Sequence, residues 1–158
     1  MLKRLAAAFG PKITQPDLVA LQDSAAKAVA GEVTDLQDGE WEDRTWVYLA
    51  INHEISIEDG VRSSTQAAVL AMKPGGVIEQ LGFRLSMATK QKLLALRDAM
   101  TKPNESPWTI VDLTMTPDGR YGFRFSHAQP PRLSGDLLHR PLANLLQRYE
   151  EQKQGVRS

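Results

Sequence analysis

Residues 86–127 constrain the fold of this chain more than any other segment. The segment opens with MATKQKLLALRDAMT, whose leucines recur at helical spacing, and after the polar linker KPNESP it continues as WTIVDLTM and RYGFRFSH. These last two stretches alternate with the period of a strand. The tetrapeptide TPDG between them has turn chemistry, because Pro117 fixes φ at a central turn position and Gly119 tolerates a positive φ. The pattern predicts a helix followed by an antiparallel hairpin.

The other elements follow from the same two periodicities. A helix is predicted over residues 15–30, because Thr14 and Asp17 suit its first turn and Gly31 suits the position just after its end. Further strands are predicted over residues 41–51, 66–72 and 77–85, and a last helix from Pro141.

Together these elements define the expected architecture. Their order is α-β-β-β-α-β-β-α, and most strands are joined by hairpin-length turns, which argues against a parallel sheet. The sequence therefore predicts one α+β domain over residues 1–158, in which an antiparallel β-sheet meander carries helices mainly on one face. Residues 1–13 and 150–158 are expected to fray.

Charge is unevenly distributed along a chain whose net charge is zero. Residues 31–60 hold nine acidic residues and one base, Arg44, so that the rest of the chain is basic. Such a segment repels nucleic acid and attracts basic protein surfaces, which raises the rate of encounter. Two interpretations stay open: a solvated loop and strand edge, which is the usual role of a charge run, and a contact surface for a basic protein partner.

Trp41 is the best candidate for an aromatic anchor in that surface. It is flanked by Glu40, Glu42 and Asp43, beside which deep burial is not expected. Exposed aromatic side chains with a charged rim are typical of binding hot spots. The predicted partner-binding residues are therefore Asp35, Asp38, Glu40, Trp41, Glu42, Asp43, Glu54, Glu58 and Asp59.

The sequence carries no recognisable catalytic or metal-binding signature. It contains no Cys, which excludes disulfides, thiol nucleophiles and thiolate zinc sites. Its histidines lack metal-ligand spacing and are predicted to be surface or cap residues; they are His53, His127 and His139. There is no nucleophile elbow or phosphate loop, and the basic residues form no stripe interleaved with aromatics. We therefore expect no catalysis, no cofactor, no metal and no nucleic-acid partner.

The first residues imitate a targeting signal only briefly. The apolar run covers residues 5–9, whereas a secretory signal needs ~7–15 apolar residues and a membrane span ~20. We expect a cytoplasmic protein without membrane contact.

The order of features in residues 86–127 resembles the C-terminal half of the YezG-like immunity proteins. The shared features are a Leu-rich helix ending in LRDAM, then Pro107-Trp108-Thr109, then the PDG turn and an aromatic strand. The resemblance covers about a quarter of the chain. It implies a cytoplasmic antitoxin that occludes a cognate bacterial toxin without catalysis, in contact-dependent or type VI secretion systems. The alternatives are an effector-specific adaptor or chaperone and, third, a small enzyme.

Overall fold

The computed structural model describes residues 14–39 and 43–157. Within these ranges the chain forms three helices and five strands, in the order that the sequence predicts, and the α+β class is confirmed. The elements are α1 (Gln15–Asp38), β1 (Thr45–Ile57), β2 (Val61–Met72), β3 (Ile78–Gly82), α2 (Met87–Met100), β4 (Ile110–Met115), β5 (Tyr121–Ser126) and α3 (Leu145–Arg157).

The strands form one antiparallel sheet in the order β3-β2-β1-β4-β5. The pairings β1–β2, β2–β3 and β4–β5 join strands that follow each other in sequence, so short turns set their registers. The pairing of β1 with β4 is the long-range one, and α2 lies between β3 and β4 in the chain. The long strand β1 is therefore the centre around which the other elements assemble.

α1 begins as predicted but ends later. Thr14 and Asp17 form a capping box, in which Thr14 Oγ1 accepts a hydrogen bond from the Asp17 amide at 3.2 Å and Asp17 accepts one from the Thr14 amide at 3.3 Å. The predicted end at Gly31 was wrong, because the helix continues to Asp38.

Tertiary contacts explain this continuation. Val33 is completely buried in the main core, one turn beyond the predicted end. Glu32 reaches the start of α2, where its carboxylate accepts a hydrogen bond from the Ser86 amide at 2.6 Å. Burying a Val side chain stabilises the fold by about 1.5–3 kcal/mol, which exceeds the ~1 kcal/mol that Gly31 costs inside a helix.

α1 and α2 cover one face of the sheet and enclose the main core. The small side chains of α1 let it lie close to the sheet, and its fully buried residues are Ala25, Ala26, Val29 and Val33. The sheet contributes Leu49, Ile51, Val69, Val111 and Leu113, and α2 contributes Leu93. The predicted arrangement, with helices mainly on one face, thus holds for two of the helices.

α3 and the segment before it cover part of the opposite face. Leu142 and Leu145 pack there against a smaller apolar cluster on β1 and β2, formed by Tyr48, Ala50, Ala68 and Leu70. α3 begins at Leu145 rather than near the predicted Pro141, since residues 141–144 form turns. It continues to Arg157, beyond Glu150, where the sequence predicts fraying.

A β-bulge changes which side chains of β1 face the helices. The β1–β2 register shifts between Trp46 and Tyr48. Regular alternation predicts that Trp46 and Tyr48 share a face, but Trp46 packs in the main core and Tyr48 in the opposite cluster. That prediction was wrong, because one extra residue in a strand inverts the alternation on one side of the bulge.

The hairpin assignment is confirmed by its turn. Gly119 has φ +92°, and its amide donates to Thr116 O at 3.0 Å. Tyr121 then ties the hairpin to α1, because its hydroxyl donates to the Asp23 carboxylate. Burial and this hydrogen bond raise the pKa of Tyr121 to about 12.

Gly119→Val is expected to lower the free energy of unfolding by about 1–2 kcal/mol, because a β-branched residue is strained at positive φ. The matched control is Gly31→Ala, whose new methyl group has no atom within 4 Å. That control is expected to raise stability by about 0.5–1 kcal/mol. Urea unfolding measures both changes, and an unaltered midpoint for Gly119→Val would contradict the turn assignment.

Candidate partner-binding site

The predicted acidic surface is divided between the two ends of β1. Asp35 and Asp43 lie before the first residue of β1, and Glu58 and Asp59 lie in the turn after its last residue. A strand of 13 residues is roughly 40 Å long, at about 3.3 Å per residue. The residues of this set that the structure describes therefore do not form one contiguous face. The sequence does not show this separation, because the two groups of acids are joined by one extended strand whose ends are far apart.

The first group belongs to the last turn of α1 and to the connection between α1 and β1, residues 39–44. Asp35 is exposed near the end of α1, and Asp43 is exposed before β1. Asp38 is the last residue of α1, and its side chain lies outside the described residues. The predicted contact residues Glu40, Trp41 and Glu42 also lie outside them.

Basic side chains accompany the acids of this connection. Asp43 Oδ1 is 2.8 Å from Arg44 Nη1, and Arg44 also forms an ion pair with Glu79 on β3. Lys73 Nζ lies 3.2 Å from Glu79 Oε2. The hydrogen bond from Arg44 is the main cause that lowers the pKa of Glu79. Near Asp43 the surface is thus less negative than the local sequence indicates.

The second group occupies the β1–β2 turn. Glu58 and Asp59 are exposed, and neither carboxylate forms an ion pair with another described residue. Asp59 and Gly60 have φ +53° and +112°, and the Glu58 amide donates to Gly60 O at 3.1 Å. The turn therefore presents two carboxylates that have no ion-pair partner within residues 14–39 and 43–157.

Glu54 does not belong to the exposed surface, and its prediction as a contact residue is corrected. Its side chain has 0% exposure and faces Arg132, whose side chain is 6% exposed, at 3.3 Å. Both carboxylate oxygens also accept hydrogen bonds from the backbone amides of Arg132 and Leu133, at 3.2 and 2.9 Å. Glu54 is therefore an internal anchor for the segment before α3, and a partner cannot reach it in the folded protein.

The Arg132 guanidinium completes this anchor by donating hydrogen bonds to β1 and β2. It donates to Ser64 Oγ at 2.8 Å and to the backbone oxygens of Asn52 and Ser64 at 3.0 Å. Its Nη1 lies 2.9 Å from His139 Nδ1, which must act as the acceptor because a guanidinium only donates. Sequence reasoning missed Arg132, because it lies in a segment with two adjacent prolines and no periodicity. The polar run Asn52-His53-Glu54 inside an apolar strand was the available signal.

The histidines are dispersed. The prediction that His53 is a surface or cap residue was wrong. It is buried on the face of the sheet that α1 and α2 cover, and its Nδ1 lies 2.7 Å from Thr65 Oγ1. Burial, with smaller contributions from the charges of Lys90 and Arg132, lowers the pKa of His53 to about 4. His127 is exposed, and His139 is partly buried on the opposite face.

A groove of about 460 Å³ lies between the β4–β5 hairpin and α3. Tyr48 and Tyr149 form one side with ring centroids 5.3 Å apart, and Lys153 Nζ lies 5.5 Å from the Tyr149 ring. Thr114 and Gly122 also line the groove. None of the predicted contact residues that the structure describes lines it, so these acids and the groove are separate features.

Two features are absent from the part of the chain that the structure describes. No group of three or more His, Asp or Glu side chains there could hold a metal ion. None of the described helices combines the length and the apolar character that a membrane span requires. Comparison with known proteins adds no assignment, since neither a protein-family model nor a curated protein matches the chain.

Proposed function

We propose that this chain is a cytoplasmic immunity protein of the YezG-like type, which binds a cognate bacterial toxin and occludes it without catalysis. The observation that carries the proposal is a contrast between the buried and the exposed charged side chains of the described residues. Glu54 and Arg132, the buried ion pair, bond to each other and to the backbone, whereas Asp35, Glu58 and Asp59 are exposed acids. Exposed acids favour association with a basic protein, because opposite charges steer the encounter.

The order of elements supports the same proposal. The resemblance to YezG-like proteins rests on a helix, a short linker and a hairpin in residues 86–127, and α2, β4 and β5 occupy that segment. The toxin is the expected product of the adjacent open reading frame, because an antitoxin must be made together with its toxin. A chaperone would instead stabilise a partner that is not lethal by itself.

The acids predicted from the sequence in the α1–β1 connection are proposed to contact the toxin, and reversing their charge tests this. The triple variant Glu40→Lys, Glu42→Lys and Asp43→Lys is expected to slow association with the toxin about tenfold or more and to flatten its salt dependence. Trp41→Ala is expected to speed dissociation, at a cost of roughly 2 kcal/mol if Trp41 is an anchor. Surface plasmon resonance at two salt concentrations measures both rates.

The control is a second triple variant that changes the net charge of the chain by the same amount, at sites outside the α1–β1 connection. Asp98, Glu105 and Glu150 are exposed acids on or beside α2 and α3, and all three are changed to Lys. A local contact predicts that this control associates almost like the parent. If the Glu40, Glu42 and Asp43 variant and Trp41→Ala both associate and dissociate like the parent, the connection does not contact the toxin and is merely exposed to solvent. No binding of the toxin by the parent would reject the proposed function.

A further inference from the structure

The β1–β2 pair projects beyond the rest of the sheet. Its register continues to Ile57 opposite Val61, whereas the pairing of β1 with β4 ends at Glu54 and the pairing of β2 with β3 ends at Ala68. Residues 56–62, named here the β1–β2 arm, therefore have no third strand beside them within the described part of the chain. Two strand residues on each side of the turn extend the arm by roughly 7 Å, and the three turn residues lie beyond them.

The arm carries an exposed apolar pair. Ile57 and Val61 are directly opposite each other and are 52% and 56% exposed. Single exposed apolar side chains are ordinary on protein surfaces, but two that face each other across a strand pair form one continuous patch. The neighbouring Ile55 on the same strand face is 1% exposed, so the core ends where the arm begins.

The tip adds two carboxylates that form no ion pair with any residue in the described ranges. Asp43, Glu54, Glu79 and Asp118 each form an ion pair within the described chain. Glu58 and Asp59 form none there, and the positive φ of Asp59 and Gly60 fixes the turn that presents them. Arg62 is also exposed on the arm and offsets one of these charges, but strand alternation places its side chain on the opposite face from Val61. A basic complement is therefore expected opposite the carboxylates of the tip.

We propose that the β1–β2 arm enters a basic cleft of the partner protein. Ile57 and Val61 contact an apolar wall of that cleft, and Glu58 and Asp59 face its Lys or Arg side chains. The arm suits a cleft better than a flat surface, because it projects past both neighbouring strands and can be enclosed from either side. This inference rests on the proposed function, since the partner is the cognate toxin.

Two double variants separate the apolar and the charged contacts. Ile57→Thr with Val61→Thr keeps β-branched residues but removes apolar area, and we expect a Kd raised about tenfold or more, mainly through faster dissociation. Glu58→Gln with Asp59→Asn removes both charges and keeps a residue that tolerates positive φ, and we expect association to slow several-fold with a weaker salt dependence. Binding of the full-length chain to the purified product of the adjacent reading frame is measured by surface plasmon resonance.

The matched control removes exposed apolar groups elsewhere. Val77 and Met87 are 65% and 68% exposed and lie outside the arm, and Val77→Thr with Met87→Thr is expected to bind like the parent. Thermal melting establishes that every variant is folded. Parental affinity for both arm variants would overturn the inference and leave the proposed function standing, whereas a parent that does not bind the toxin would reject both.

A second copy of this chain is the alternative binding partner of the arm, in place of the toxin. It predicts that the parent dimerises and that Ile57→Thr with Val61→Thr yields monomers with unchanged toxin affinity. Light scattering after gel filtration distinguishes the two occupants, and that combined outcome would also overturn the inference.

Discussion

Arg132→Met is expected to lower the free energy of unfolding by about 3–5 kcal/mol, although residue 132 lies in a segment without regular structure. The substitution leaves the Glu54 carboxylate, which has 0% exposure, without its cationic partner. It also removes the bonds that join the segment before α3 to Ser64 and Asn52. An unpaired buried charge costs far more than the lost pair contributed, because its desolvation is no longer offset.

The double variant Arg132→Met with Glu54→Gln tests this explanation. Each single change leaves one buried charged or polar side chain without its partner. The double variant removes both groups, so its free energy of unfolding is expected to exceed the value predicted by adding the two single changes, by up to about 3 kcal/mol. Arg124→Met is the control, because Arg124 is an exposed arginine on β5 and should change stability by no more than about 0.5 kcal/mol. Urea unfolding gives all values. A parental midpoint for Arg132→Met would contradict the buried anchor.

Acidification is expected to destabilise the protein through His53. Its pKa falls from 6.5 to about 4 on folding, so the unfolded chain binds a proton between these values and the folded protein does not. Stability therefore rises with pH across that window, and the contribution that is complete above pH 6.5 is lost as the pH falls to about 4. This pKa difference corresponds to about 3 kcal/mol.

His53→Gln isolates that contribution from the titration of carboxylates. Gln can still form a hydrogen bond with the Thr65 hydroxyl but does not titrate, so the parent should lose about 3 kcal/mol more than the variant between pH 7 and pH 4. His127→Gln is the matched control, because His127 is exposed. The free energy of unfolding is measured in urea at each pH. Parallel curves for the parent and His53→Gln would contradict the buried, neutral imidazole.

The elements that could be predicted from the sequence are those that local chemistry determines. Ser86 caps α2, accepting from the Thr89 amide at 3.2 Å, and the turn at Gly119 fixes the β4–β5 hairpin. Both depend on residues within a few positions of each other. For the same reason the order of elements was predictable, whereas the pairing of β1 with β4 depends on contacts that are distant in sequence.

The errors arise where tertiary contacts override a local signal. Gly31 is a favourable helix end, but the burial of Val33 extends α1 past it. The bulge beside Tyr48 inverts the alternation of β1, and only the register of the neighbouring strand reveals it. Neither effect leaves a clear trace in the residues themselves.

The candidate site was harder to predict, because charge and exposure are properties of the assembled fold. The sequence identifies a run of acids, but it does not reveal that Glu54 is covered by a segment without periodicity. It also does not reveal that β1 separates Asp43 from Glu58 by its whole length. The exposure of Ile57 and Val61 follows from where β3 and β4 stop pairing, which no local pattern encodes.

The proposed inhibition of a toxin by occlusion is tested most directly by titration. The most direct measurement adds the purified chain in steps to a fixed concentration of the adjacent gene's product, well above their Kd, while the activity of that product is followed. Occlusion predicts a linear loss of activity that is complete near a molar ratio of one, with toxin of unchanged mass recovered after denaturation of the complex. Complete inhibition far below a molar ratio of one, with a covalently altered toxin, would contradict occlusion and indicate catalysis.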